Sequence, residues 1–267
     1  MFQQVSSSMW GFTTYVISAS LAGTLLEILI PGEKQSVQSR LRAIPIWIVY
    51  ILVGVSSGAL LQFLLASLHI RPLVSVDLSR TTGSKDFVMI VATYTIYPAL
   101  GFFVYDFFYY WFHRLQHTLR PLWRVHAVHH SIEELNAFND YHHWLENTLR
   151  VPLILLPMSI IISVSAPGVI VYTMILQFMG QMTHANSKIS YGLFRYVFSE
   201  PKFHRIHHSA EERHWGKNFA FMFPFWDVIF GTAHFPKPDE YPATGLSSQK
   251  EPRSVVEYIA APFRHTK

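Results

Sequence analysis

Long apolar blocks separated by polar, histidine-rich stretches set the plan of this chain. Residues 44 to 68, IPIWIVYILVGVSSGALLQFLLASL, carry no ionisable side chain. At about 1.5 Å rise per residue, a helix of that length exceeds the ~30 Å hydrocarbon thickness of a bilayer, which predicts a transmembrane helix. Residues 10 to 30 form a second candidate with one acidic residue, Glu27, and residues 87 to 112 a third that ends in the aromatic run FFVYDFFYYWF. A fourth apolar stretch, Val151 to Met182, is interrupted by Ser165-Ala166-Pro167-Gly168, a strong breaker signal. It reads as two arms of roughly 14 to 16 residues, each shorter than the ~20 residues of a full crossing. If histidines before and after this stretch meet, the chain must leave and return on one side, so a hairpin is expected, either crossing fully or re-entrant.

Composition supports the membrane reading. Apolar residues make up 50% of the 267 and charged residues 14%, against about 25% charged in a soluble domain. The first apolar block lacks a basic leader and a small-residue cleavage site, so it reads as a retained helix rather than a signal peptide. Of the 21 Lys and Arg residues, 15 lie in the polar stretches 113 to 150 and 185 to 267, and the positive-inside rule puts that face in the cytoplasm. No Lys/Arg cluster falls at helical spacing, which argues against a nucleic-acid partner. The absence of cysteine removes thiolate metal sites, disulfides and cysteine nucleophiles. Any metal must be held by nitrogen and oxygen.

Histidine supplies the nitrogen. His113 and His117 stand at i and i+4, His126, His129 and His130 at i, i+3 and i+4, and His204, His207 and His208 repeat the second pattern. On helices such positions share one face. Neutral imidazole is the commonest side-chain metal ligand and suits Zn, Cu, Fe and Ni. These eight histidines, with His184 at the end of the hairpin as a ninth, are too many for one structural zinc, which closes at about four ligands. Two metals sharing them would keep room for an exogenous ligand, which favours redox or oxygen chemistry. The HExxH motif of zinc proteases is absent, and the one Glu-x-x-His pair, Glu211 and His214, is expected at the surface. With no GxGxxG, P-loop or haem signature, electrons would have to come from another protein.

HRLQH at 113, HAVHH at 126 and HRIHH at 204 resemble the three histidine boxes of the integral-membrane fatty acid hydroxylase and sterol desaturase superfamily. The resemblance extends to His184-Ala-Asn186 and to the tail motif Trp226-Asp227-x-x-Phe230-Gly231-Thr232, and covers roughly residues 95 to 235. It implies an all-α membrane protein with about four transmembrane or re-entrant helices and a cytosolic helical cap. It also implies a di-iron centre of two Fe ions and hydroxylation or desaturation of a lipid, using O2 and a separate electron-transfer protein. Residues 1–94 would then be N-terminal membrane helices and loops, 95–235 the catalytic region and 236–267 a polar tail. The implied ligands are His113, His117, His126, His129, His130, His184, His204, His207 and His208. The stretch Asn136 to Glu146 is similar to the family's intervening segment, with His143 and Glu146 in register and Trp144 where proline is usual. His143 and Glu146 are therefore candidate partners for the ligands' other N–H groups, and Asp227 is either another or a turn cap.

Two other classes stay open at this level. A metal or proton transporter would use the histidines as relays, but the spans hold only Glu27 and Asp106 as ionisable residues, neither with an obvious partner. A non-catalytic lipid-binding relative would not need all nine positions filled. Tyr105, Phe107, Phe108, Tyr109 and Tyr110 read either as an interfacial aromatic belt or as the mouth of a lipid path.

Overall fold

The computed structural model describes residues 2–69, 71–76, 86–164 and 166–264. Most of the loop at 70–86, and Ser165 of the expected breaker, lie outside them. The architecture is mostly helical. Helices α1 (Phe2–Leu29) and α2 (Val37–Ser67) lead, followed by a short strand β1 (Val74–Val76) and α3 (Phe87–Val91). Next come α4 (Tyr97–Thr118), α5 (Arg120–His130), α6 (Trp144–Arg150), α7 (Leu156–Ile161), strand β2 (Ile162–Val164) and α8 (Ala166–His184). The C-terminal part holds α9 (Pro201–His207), α10 (Phe225–Ile229) and α11 (Val255–Ala260).

Among the described residues, α2 is the one helix long and apolar enough to cross a membrane. The Ser36 side chain caps its start, accepting from the Ser39 amide. One face of α2 leaves Leu41, Ile48, Leu52 and Phe63 exposed. The other buries Ala43, Ile46, Trp47 and Tyr50 against Val128, Ile132, Leu135, Tyr141 and Tyr258. Helix α1 is continuous over the expected second span, 28 residues from Phe2 to Leu29. The remaining stretches depart from simple spans. The third stretch is a π-helical turn at Ala92–Ile96 between α3 and α4, and α4 continues to Thr118, so the helix itself carries His113 and His117. A second π turn, Val151–Leu155, precedes α7. Pro98 follows the first and Pro152 lies in the second; a residue without an N–H cannot join the i→i−4 ladder, and the helix widens there.

The stretch 151–182 divides into two helical arms as expected, and the break between them begins at Ile162. The extended Ile162–Val164 pairs in parallel with β1, Val74 opposite Ile162. β-branched residues in both segments favour that local departure from an all-α chain. Helix α8 packs on α1 and α9, α4 on α5, and α2 on α6. The two acids that had no partner in the sequence anchor this packing. Glu27 pairs with Arg40 and accepts the amides of Ala137 and Asn186, each at 2.8 Å. Asp106 accepts three consecutive amides, Phe221, Met222 and Phe223, at 2.7 to 3.1 Å. Each acid thus pins a distant loop to a helix by satisfying backbone donors that burial would otherwise leave unpaired.

Candidate metal centre

Four helices deliver the histidines to one place. Leu119 is extended between α4 and α5, and Pro121 sits in the first turn of α5, where its missing N–H costs nothing. This abrupt turn folds α5 back on α4, so His113 and His117 face His126 and His130. Pro201 starts α9 in the same way, directing His204 and His207 inward, and His208 is its C-cap. His184 is the last residue of α8.

The structure brings all nine histidines into a single array that divides in two. His113, His117, His126, His130 and His207 form one group and His129, His184, His204 and His208 the other, with possible ligand atoms in each group within 4.8 Å of one another. Ring nitrogens converge closely: Nε2 of His126 lies 3.0 Å from that of His113 and 3.1 Å from that of His130. In the second group, Nε2 of His184 lies 2.9 Å from that of His204 and 3.1 Å from that of His129. Two nitrogens bound to one ion at ~2.0–2.1 Å would stand roughly 3 Å apart.

Tautomers point the same way. The Nδ1 atoms of His113, His129, His184 and His207 face the carbonyl oxygens of Phe219, Tyr141, Gly180 and Lys217 at 2.5 to 3.1 Å. Each can only donate there, so its Nε2 keeps a lone pair aimed at the centre. Nε2 of His117 and of His207 is buried without any hydrogen-bond partner. Buried lone pairs in such numbers are costly unless something electropositive accepts them. The donor set therefore fits two metal ions held by imidazole.

Electrostatics agrees with that fit. Burial, reinforced by neighbouring imidazoles, pushes His113, His117, His129, His130, His204 and His208 well below the ordinary histidine range. Burial takes His184 and His207 down to about 3. Neutral imidazole is the form that binds metal.

Glu146 lies against the array, as its register suggested. Its Oε1 accepts from Nδ1 of His126 at 3.2 Å and its Oε2 from Nδ1 of His142 at 3.1 Å. Burial opposes its ionisation, but the hydrogen bonds and field of His142 and His126 hold its carboxyl well below the carboxylate range. His143 is placed elsewhere. Its Nδ1 accepts the Leu145 amide as N-cap of α6, and its ring packs on Trp144 and Tyr258. His142 takes the inner position instead, stacked on His129 with ring centroids 3.7 Å apart. The i, i+4 relation of His142 to Glu146 was the sequence signal that could have singled it out.

Asp227 touches no histidine. Its oxygens accept the amides of Phe219 and Ala220 and the Thr232 hydroxyl at 2.7 to 2.9 Å, and burial pushes it up to about 6. It acts one step away, by fixing the Phe219 carbonyl that orients His113. Of the aromatic residues of α4, Tyr109 packs with Phe221 beside His113, Tyr110 is fully buried against Phe219 and Phe230, and Tyr105, Phe107 and Phe108 are half-buried. His214, expected at the surface, is buried, and only Glu211 of that pair is exposed.

Residues 98–232, which span every histidine of the array, match the model of the fatty acid hydroxylase family. The chain belongs to that family. It is 29% identical over 165 residues, 61% of this chain, to an ornithine lipid hydroxylase, OlsE, of Rhizobium tropici, covering 49% of that protein. It is 30% identical over 161 residues, 60% of this chain, to human alkylglycerol monooxygenase, covering 34% of it. A very-long-chain aldehyde decarbonylase, GL1-4, of Oryza sativa subsp. indica is 28% identical over 161 residues, 56% of this chain and 25% of that protein. The chain thus spans about half or less of the length of these relatives. No solved structure matches it.

Proposed function

We propose that this chain is a membrane-bound oxygenase that hydroxylates a lipid, using two iron ions, O2 and electrons from a separate protein. The observation that carries the reading is the array of nine histidines in two groups, eight of them buried and His117 half-buried, with the Nε2 atoms of His117 and His207 left without any hydrogen-bond partner. Two irons bound there would reduce O2 and remove hydrogen from an unactivated C–H bond, chemistry that side chains alone do not supply. His113, His117, His126, His130 and His207 would hold one ion and His129, His184, His204 and His208 the other. Glu146 orients His126, and the carbonyls of Phe219, Tyr141, Gly180 and Lys217 orient four more ligands. The wall of Tyr105, Tyr109, Phe221 and Tyr172 ends beside His113, and it would exclude water while guiding an acyl or alkyl chain towards the centre.

The carbonyls behind His113, His129, His184 and His207 hold each of these rings in one orientation, which favours fixed ligation over a relay that must turn its rings. Names of the relatives, a lipid hydroxylase and an alkylglycerol monooxygenase, support oxygen insertion over desaturation. In this reading α2 spans the bilayer, residues 95–235 are the catalytic region and the histidine-bearing face is cytoplasmic. The test is metal analysis with lipid mass spectrometry. Two irons per chain, O2 uptake on reduction and a cellular lipid gaining ~16 mass units are expected. A lipid losing ~2 mass units would replace hydroxylation with desaturation, and metal transport into proteoliposomes without O2 uptake would overturn the oxygenase.

A further inference from the structure

A second histidine cluster lies outside the array and takes no part in the reading above. His214 ends a 3₁₀ turn, Glu212–His214, and is fully buried. His234 follows the Gly231-Thr232 turn and Glu240 closes the turn begun at Lys237. Nε2 of His214 stands 3.0 Å from one oxygen of Glu240, and Nε2 of His234 stands 3.1 Å from the other. One ligand atom from each of the three residues falls within 4.8 Å of the others.

The surroundings fix these groups. Nδ1 of His214 lies 2.8 Å from the Ser209 hydroxyl, so only its Nε2 is turned to the carboxylate. The backbone of His234 is clamped to Asn218 by a reciprocal pair of bonds at 2.7 and 2.9 Å. The Glu240 side chain is 8% exposed and that of His234 32%, so the cluster opens to solvent on the His234 side. Arg213 reaches within 3.6 Å of Glu240, but its side chain is 65% exposed and hydrogen-bonded to Glu211.

We propose that His214, His234 and Glu240 form a third metal site, for a divalent first-row cation such as zinc. Without metal, both Nε2 atoms must carry protons to satisfy one carboxylate. A cation replaces those two protons, taking two imidazole nitrogens and a carboxylate oxygen, with a solvent position left over on the open side. That N2O set matches the His2Glu sites known for zinc. The cross-link joins residues 209–214, directly after the third histidine cluster, to the tail at 232–240. Between the two joined stretches, the Lys217 carbonyl accepts from His207 and Asn218 donates to the Phe203 carbonyl of α9. A metal here staples the loop that orients part of the array.

The test compares this chain with its His234→Asn variant in detergent, both equilibrated with zinc and desalted. The nine histidines of the array are present in both, so their zinc content cancels and the outcome does not depend on the oxygenase reading. One zinc more per chain in the parent, with a larger zinc-dependent rise in Tm than the variant shows, is the expected result. Equal zinc content in the two proteins would overturn the proposal and leave the cluster as hydrogen bonds alone. Should His234→Asn fail to fold, Glu240→Gln and an anomalous-scattering map of the zinc-loaded parent replace it. A peak between His214, His234 and Glu240 supports the site, and its absence at full zinc loading refutes it.

Discussion

The nine-histidine array and the His214–His234–Glu240 cluster use the same ring in opposite settings. In the array, imidazoles crowd one another with carboxylates outside the ligand groups, and four of the nine donate Nδ1–H outward to carbonyls, leaving their Nε2 lone pairs inside. In the peripheral cluster a carboxylate sits at the centre and accepts hydrogen bonds from the two Nε2–H groups. The difference teaches that histidine count does not define a site; what lies on the far side of each ring does. A carbonyl behind the ring turns its Nε2 lone pair inward for ligation, whereas a carboxylate in front draws the ring's N–H towards itself.

The sharpest break of this contrast is His129→Ala, which removes a ligand of the four-histidine group. Lipid oxidation should fall below detection while the protein still inserts in membranes; oxidation surviving in that variant would end the assignment. Glu146→Gln comes next, since it keeps the shape and removes the charge that orients His126. Metal affinity or activity should drop by about 10–100-fold, read by iron content after dialysis against a chelator. Asp227→Asn, which loses acceptor capacity for two buried amides and a hydroxyl, should lower stability by about 1–3 kcal/mol, measured by denaturant unfolding in detergent. His143→Ala should cost only ~1 kcal/mol, the value of a helix cap, with iron content retained. Loss of iron in that variant would restore His143 to the centre.

Acid separates the two regions without mutation. Array histidines that are depressed in the fold contribute stability that is full above their ordinary value of 6.5 and is lost as pH falls towards about 3, the value reached by His184 and His207. Glu240 faces burial too, but the Lys237 amide and the two imidazoles hold it at about 2, so its contribution is lost only as pH falls below its ordinary 4.5. Metal-free protein should therefore start to lose Tm below pH ~6.5. A profile flat down to pH ~4.5 would mean that the array is not built from neutral buried imidazoles.

Much of the site was legible because helical spacing is local. The i, i+3, i+4 patterns at 126–130 and 204–208 put ligands on one face of a helix or its cap, and the resemblance at the three boxes identified the family. What misled the sequence reading was adjacency. His142 and His143 are neighbours on an irregular segment before α6, and only the direction of the backbone decides which ring turns inward. Glu211 and His214 fit a surface spacing, yet the tail from Thr232 to Glu240 buries one of them.

By itself the sequence determined the apolar blocks, the absence of thiolate chemistry, the nine ligand candidates and the break in the fourth block, since each follows from composition or from neighbours a few residues apart. Only the tertiary structure decided how five histidines separate from four and what faces each ring. It also showed that Glu27 and Asp106 serve amides more than 100 residues away. Those outcomes depend on chain segments meeting across long loops, and hydrophobic periodicity does not encode which backbone carbonyl will stand behind a given imidazole.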